Sequence, residues 1–97
     1  MFQIEWTEIA SKQRITILEF WIEHNQSKTY SKKIFKQTLV AEKLLKKNPL
    51  SGNQTDLEEI RRILVLKNFS IFYKTEGKTI KILAFYDNRR NPENLEL

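Results

Sequence analysis

Phe69-Ser70-Ile71-Phe72-Tyr73-Lys74, then Glu76-Gly77-Lys78, then Thr79-Ile80-Lys81-Ile82-Leu83-Ala84-Phe85-Tyr86 is the stretch whose reading decides the fold. The first run is rich in β-branched and aromatic residues, which fit a pleated, half-buried surface. The glycine between two charged residues marks a hairpin turn. In the second run Ile80, Ile82 and Ala84 fall on one face, and Lys81, Leu83 and Phe85 on the other. Apolar residues on both faces predict a strand covered on each side for part of its length.

Working back from this hairpin, Glu58 to Arg62 leads into a strand of Ile63, Leu64, Val65 and Leu66, with Lys67-Asn68 as the turn into Phe69. Consecutive hairpins make the last three strands an antiparallel meander. Leu50 to Asp56, marked by Ser51-Gly52-Asn53, reads as a loop.

Two helical patterns precede the loop. From Tyr30 and Ser31, Ile34, Thr38, Ala41 and Leu45 recur at helical spacing, with Phe35 and Leu39 widening the stripe. Asn48-Pro49 ends this helix, because a residue before proline is pushed out of the α region. The earlier helix has Thr7 as N-cap and Glu8 near the positive end of its dipole, and it runs to about His24. Its stripe reads Ile15, Leu18 and Ile22, flanked by Ile17 and Trp21. Asn25 to Thr29 is polar and turns the chain. At the start, Phe2, Ile4 and Trp6 alternate with Gln3 and Glu5, a half-buried strand. The expected fold is α+β, ordered β-α-α-β-β-β. The first strand joins an edge of the sheet and the two-helix hairpin covers its apolar face.

Composition bounds what this fold does. Ninety-seven residues are expected to form one domain, 1–97. The chain has no cysteine and one histidine, His24, so disulfides and thiolate metal sites are excluded and no metal or cofactor is expected. His24 reads as a helix-end histidine. With glycine only at 52 and 77, a glycine-rich phosphate loop is excluded, and no nucleophile elbow is present. The N-terminus lacks a signal-peptide pattern and no apolar run reaches membrane length, so a cytoplasmic protein without membrane or small-molecule partners is expected. The net charge is +5, and residues 28 to 47 alone hold seven lysines against Glu42, a net of +6. Such a segment suits an acidic partner, and a solvated helix face is the plainer reading of the lysines alone. The remaining cations stand out as pairs. Arg61-Arg62 opens the central hairpin and Arg89-Arg90 follows the last strand, in an Asp87 to Leu97 tail. The up-down-up order puts the two pairs at opposite ends of the strands, as solvated charges or as sites for two partners.

In order and spacing, these pieces resemble the RelE/ParE superfamily of bacterial type II toxins. The resemblance runs through Ile4-Glu5-Trp6-Thr7 with Ala10, and Leu44-Leu45 with Asn48-Pro49 and Gly52. It continues through Arg61-Arg62, Phe69 to Lys74, Ile80 to Phe85, and Asp87-Asn88-Arg89-Arg90-Asn91-Pro92. It implies a growth-inhibiting toxin, of the kind that stabilises plasmids, neutralised by a cognate antitoxin. The target it implies is DNA gyrase in the ParE-like branch, or messenger RNA on the ribosome in the RelE-like branch. A RelE-like activity would be metal-independent endoribonuclease chemistry, with Arg61, Arg62, Tyr86, Arg89 and Arg90 as candidates. Ser70 stands where the ribonucleases place an arginine, and a hydroxyl cannot stabilise a developing phosphorane charge as a guanidinium does. A phenol at Tyr86 would serve as acid or base only with a strongly lowered pKa. The ParE-like branch is therefore expected, with Arg61, Arg62, Arg89 and Arg90 binding the target. A non-toxic binding module derived from the family is the further alternative. The resemblance also places the antitoxin across the helical hairpin and sheet, where Lys32, Phe35, Lys36, Leu39 and Lys43 are the expected contacts. Apolar anchors there would supply affinity and the lysines would speed association.

Overall fold

The computed structural model describes residues 1–90. Strand β1 (Gln3–Trp6) leads through Thr7 into helix α1 (Glu8–Asn25) and helix α2 (Thr29–Lys47). A two-residue strand β2 (Asn53–Gln54) precedes β3 (Arg61–Val65), β4 (Phe69–Glu76) and β5 (Thr79–Asp87). The five strands form one sheet in the order β1-β5-β4-β3-β2. β3, β4 and β5 are the expected meander, and β1 takes the expected edge, parallel to β5. The stretch read as a loop, Leu50 to Asp56, contains β2, which pairs with Arg61 and Arg62. Two residues carry no periodicity, so only their pairing reveals the strand.

Thr7 caps α1 as expected, its hydroxyl oxygen accepting the Ala10 N–H at 3.1 Å. Gln26 ends the helix in the left-handed region. The inward line of α2 is the stripe read from the sequence, with Ile34, Thr38, Ala41 and Leu45 all buried. That of α1 is not. Its buried residues are Ala10 and Ile17, two turns apart, whereas Ile15 is exposed. Isoleucine and leucine occur on several sides of α1, so apolar spacing alone does not select the face. Packing on β5 and α2 does.

The faces of β5 also differ from the simple alternation. Tyr73 of β4 pairs with Ile82, but its neighbour Phe72 pairs with Ala84, so Leu83 is an extra residue. This bulge inverts the parity of the rest of the strand. Ile80 and Ile82 enter the core under the helices, and so does Phe85, which stacks on Phe69 at a centroid distance of 5.8 Å. Ala84, expected beside Ile80 and Ile82, faces the other way with Phe72. Past Trp6 no strand among the described residues lies beside the outer edge of β5, and Thr7 and α1 supply the partners. The Thr7 N–H donates to the Ile82 carbonyl at 3.0 Å, and Gln13 accepts the Phe85 N–H at 2.9 Å. Backbone groups that would otherwise be buried unpaired are thereby satisfied.

At the far end of the sheet, Tyr73 ties the loop after α2 to β4. Its buried hydroxyl donates to the Pro49 carbonyl at 2.7 Å and accepts the Gly52 N–H at 2.9 Å. Arg61 closes the arrangement, its guanidinium donating to the Gly52 carbonyl at 2.8 Å. Gly52 is required by this close approach, since a Cβ there would lie 2.7 Å from the Tyr73 hydroxyl and 2.8 Å from the Arg62 carbonyl. Gly77 is required for another reason, a φ of +58° in open space. Gly77→Ala is expected to cost about 1 kcal/mol of unfolding free energy. Gly52→Ala is expected to cost about 3 kcal/mol, through a clash and broken hydrogen bonds. Urea denaturation of both variants checks the order.

Burial pushes the Tyr73 pKa above its ordinary value of 10.0, and the bond from Gly52 and the charge of Arg61 only partly oppose this. The folded state therefore holds the phenolic proton after the unfolded chain has lost it. The stability this contributes is complete below the unfolded pKa and is lost as pH climbs through the folded one. Unfolding free energy measured from pH 9 upward is expected to fall beyond about pH 10. The fall should be shallower in Tyr73→Phe, which starts from a lower plateau because two hydrogen bonds are gone.

Candidate functional site

The register separates the arginine pairs as expected. Arg61 lies opposite Tyr73 at one end of the strands, and Asp87, just before Arg89, lies opposite Phe69 at the other. Within each pair the two residues also part. Arg61 is on the helix side of the sheet, occupied with Gly52, while Arg62 is exposed on the helix-free face. The sequence presents the two as one target-binding and candidate catalytic pair, and strand alternation divides them.

Arg89 is the centre of a clamp. Its Nε donates to Asp87 at 3.1 Å and its backbone N–H to the same carboxylate oxygen at 3.0 Å. The other oxygen of Asp87 accepts the Trp21 indole N–H at 3.1 Å. The guanidinium carbon lies 4.5 Å from the Trp21 ring centroid and 5.2 Å from that of Phe69, and an Nη donates to the Tyr30 hydroxyl at 3.2 Å. Burial alone would lower the Arg89 pKa, but the bonds to Asp87 and Tyr30 outweigh it and raise the value. Asp87, read as the first residue of a polar tail, is instead buried in β5 and joins the sheet to both helices through this clamp. Among the described residues Arg90 has no such anchor. It is exposed, its guanidinium 4.1 Å over the ring of Phe20, whose ring in turn stacks on exposed His24.

On the helix-free face, Ser70 is fully buried and its hydroxyl donates to the Asn88 side chain at 2.8 Å. Tyr86 lies across from Ser70, and its hydroxyl is enclosed without a hydrogen-bond partner among the described residues. Arg62 and half-exposed Leu64 reach solvent on this face, as do Lys74, Glu76, Lys81 and Glu5, which pair with one another. Asn91 and Pro92, part of the sequence resemblance, lie outside the described residues, as does the rest of the tail.

The residues expected to meet an antitoxin, Lys32, Phe35, Lys36, Leu39 and Lys43, are all exposed on the side of α2 away from its buried stripe. Phe35 and Leu39 are 43% and 41% exposed. Sequence reasoning missed what stands beside them. Arg14 of α1 lies with its guanidinium carbon 3.9 Å from the Trp6 ring centroid and 5.6 Å from that of Phe35. Trp6 donates its indole N–H to Glu42 of α2 at 2.9 Å. These residues come from three elements, so no local spacing links them. The one available signal is that Glu42 is the sole acid in a lysine-rich helix. Val40 and Leu44, also exposed, lie on the opposite flank of α2.

No protein-family model matches the chain, and no curated protein sequence matches it. Among solved structures, it is similar to a chain of the chromosomal ParDE TA (toxin–antitoxin) system from P. aeruginosa. The TM-score is 0.78, the likeness covers 90% of this chain and 96% of that one, and the identity is 19%. The α+β fold implied by the sequence resemblance is therefore the fold observed, a ParE-like strand, helix pair and sheet. No helix of the described residues is long and apolar enough to cross a membrane.

The clamp arginine and the exposed one are expected to behave differently when truncated. Arg89→Ala should cost about 2 kcal/mol or more, since it removes the cation facing a buried carboxylate. Arg90→Ala should stay within about 0.5 kcal/mol of the parent chain. Chemical denaturation of the two variants is the check.

Proposed function

We propose that this chain is the toxin of a type II toxin–antitoxin pair. In this reading a cognate antitoxin keeps it inactive, and its target is DNA gyrase, which it binds without catalysing a reaction. What supports the toxin reading is the ParE-like fold together with the sequence motifs that follow it in order. What supports inhibition over cleavage is the condition of the ribonuclease candidates. Arg61 is bound to Gly52, Arg89 to Asp87, and the Tyr86 hydroxyl is enclosed. Ser70, in the arginine position, is buried and bonded to Asn88. In-line cleavage of RNA without a metal needs cations and an acid–base pair converging on one phosphate. These side chains are divided between two faces and two ends of the sheet. Arg62 and Arg90 remain as exposed cations for a target surface, and Lys32, Phe35, Lys36, Leu39 and Lys43 form the antitoxin side.

Induced expression with and without the neighbouring small reading frame tests this. Expression alone should arrest growth with filamentation and DNA damage while messenger RNA stays whole, and the purified chain should inhibit gyrase supercoiling. Co-expression of the neighbour should restore growth. Codon-dependent cleavage in a ribosomal A-site assay would overturn the gyrase assignment in favour of a ribonuclease. Harmless strong expression without the neighbour would overturn toxicity itself and leave a binding module.

A further inference from the structure

Arg14 is an unusual cation in this molecule. Its side chain is only 21% exposed, and burial lowers its pKa against the pull of Glu42. Yet among the described residues its guanidinium donates no hydrogen bond. The nearest carboxylate oxygen, Oε2 of Glu42, is 3.9 Å from Nη1, too long for one, and that oxygen already accepts the Trp6 indole at 2.9 Å. Trp6 holds the guanidinium by stacking against its carbon, with the Phe35 ring farther off on the α2 side, rather than by bonding its N–H groups. A largely desolvated guanidinium, pre-positioned and without a hydrogen-bond acceptor among the described residues, is a ready receptor for a carboxylate. Arginine's planar fork binds that group bidentately and loses little freedom on doing so.

The surroundings indicate what carries the carboxylate. Phe35 and Leu39 are exposed one helical turn apart, and Ile15, the residue after Arg14, is 54% exposed. Lys32, Lys36 and Lys43 are exposed on the same helix, where Glu42 is the sole acid. Apolar anchors inside a cationic field match an acidic, amphipathic protein segment. A nucleic-acid backbone would satisfy the cations and leave the apolar side chains unmatched.

We propose that Arg14 is a carboxylate-binding hot spot on the Phe35–Leu39 flank of the helix pair, and that its partner is an amphipathic protein segment with an Asp or Glu set beside its apolar anchors. The site deepens the antitoxin reading, which supplies only the biological identity of that segment. The surface lysines then act at a distance, on encounter, while Arg14 acts in contact, on dissociation.

A display selection of randomised 16-residue peptides against the whole chain tests the site without knowing the natural partner. Selected binders should carry Asp or Glu at one fixed spacing from two apolar residues. A synthetic consensus peptide should lose about tenfold or more in affinity when its Glu is changed to Gln. On Arg14→Lys, which keeps the charge and loses the fork, the two peptides should differ by less than about twofold in a double-mutant comparison. Lys32→Glu, Lys36→Glu and Lys43→Glu together should slow association of both peptides and flatten its salt dependence, leaving the Glu-to-Gln ratio intact. In the unaltered chain, the Arg14 Nε–Hε resonance should shift with the Glu peptide and not with the Gln peptide, a readout that needs no variant to fold. The proposal is overturned if the binders show no fixed acid, if the ratio is unchanged on Arg14→Lys, or if a single-stranded oligonucleotide moves the Arg14 resonance as the Glu peptide does. If the neighbouring gene's product fails to bind while the peptide results hold, the antitoxin reading falls and the Arg14 site stands. If that product binds and the Arg14 arms fail, the reverse is established.

Discussion

One inserted residue, Leu83, governs which side chains of β5 reach the helices. Before it, Ile80 and Ile82 point into the core; after it, Phe85 and Asp87 do. A regular strand in register with Tyr73 and Ile82 would send Leu83 and Phe85 to the helix-free face and leave Phe69 without its stacking partner. It would also carry Asp87 away from the Trp21 indole. The bulge makes the hydrophobic core and the polar clamp at its end compatible within a single strand. Gln13 and Thr7 then satisfy the backbone groups of β5 that no strand covers.

The consequence is a molecule with two differently built surfaces. On the helix side, cations are immobilised by contact: Arg61 by a carbonyl, Arg89 by a buried carboxylate and three aromatic rings, Arg14 by the Trp6 ring. A guanidinium suits these places because it is planar and weakly hydrated, so it can stack and donate at once. On the exposed side of α2 the cations are lysines, whose strongly hydrated ammonium groups stay in water and contribute mainly to the long-range field. Around the helix pair, the arginines Arg14 and Arg89 thus sit against rings, and the α2 lysines Lys32, Lys36 and Lys43 in solvent.

Much of the fold was legible because its signals are local. Thr7 announces the start of a helix, Asn48-Pro49 the end of one, and Glu76-Gly77-Lys78 a hairpin, each through chemistry confined to a few residues. The α2 stripe was legible because lysines occupy the remaining positions, so Ile34, Thr38, Ala41 and Leu45 contrast with their neighbours. In α1, isoleucines and leucines lie around much of the helix and that contrast is missing, so the spacing selects Ile15 whereas packing buries Ala10 and Ile17. The exposed contact candidates on α2 could be read as the margin of a clear stripe, whereas Arg14 could not be read at all.

By itself, the sequence determined the order of elements, the antiparallel pairing of the last three strands and the separation of the two arginine pairs along them. Those properties depend on turn residues, periodicities and the direction of a chain that must reverse at each hairpin. Only the tertiary structure decided which members of each pair are anchored, because Arg61 and Arg62 differ by one step of strand alternation and Arg89 and Arg90 by the reach of Asp87. It also decided the parity of β5, since a bulge is a property of two strands in register and leaves no mark in one of them. The assembly of Trp6, Arg14, Phe35 and Glu42 was likewise settled in three dimensions. A strand and two helices bring together residues up to 36 positions apart, a distance over which spacing along the chain carries no geometric information.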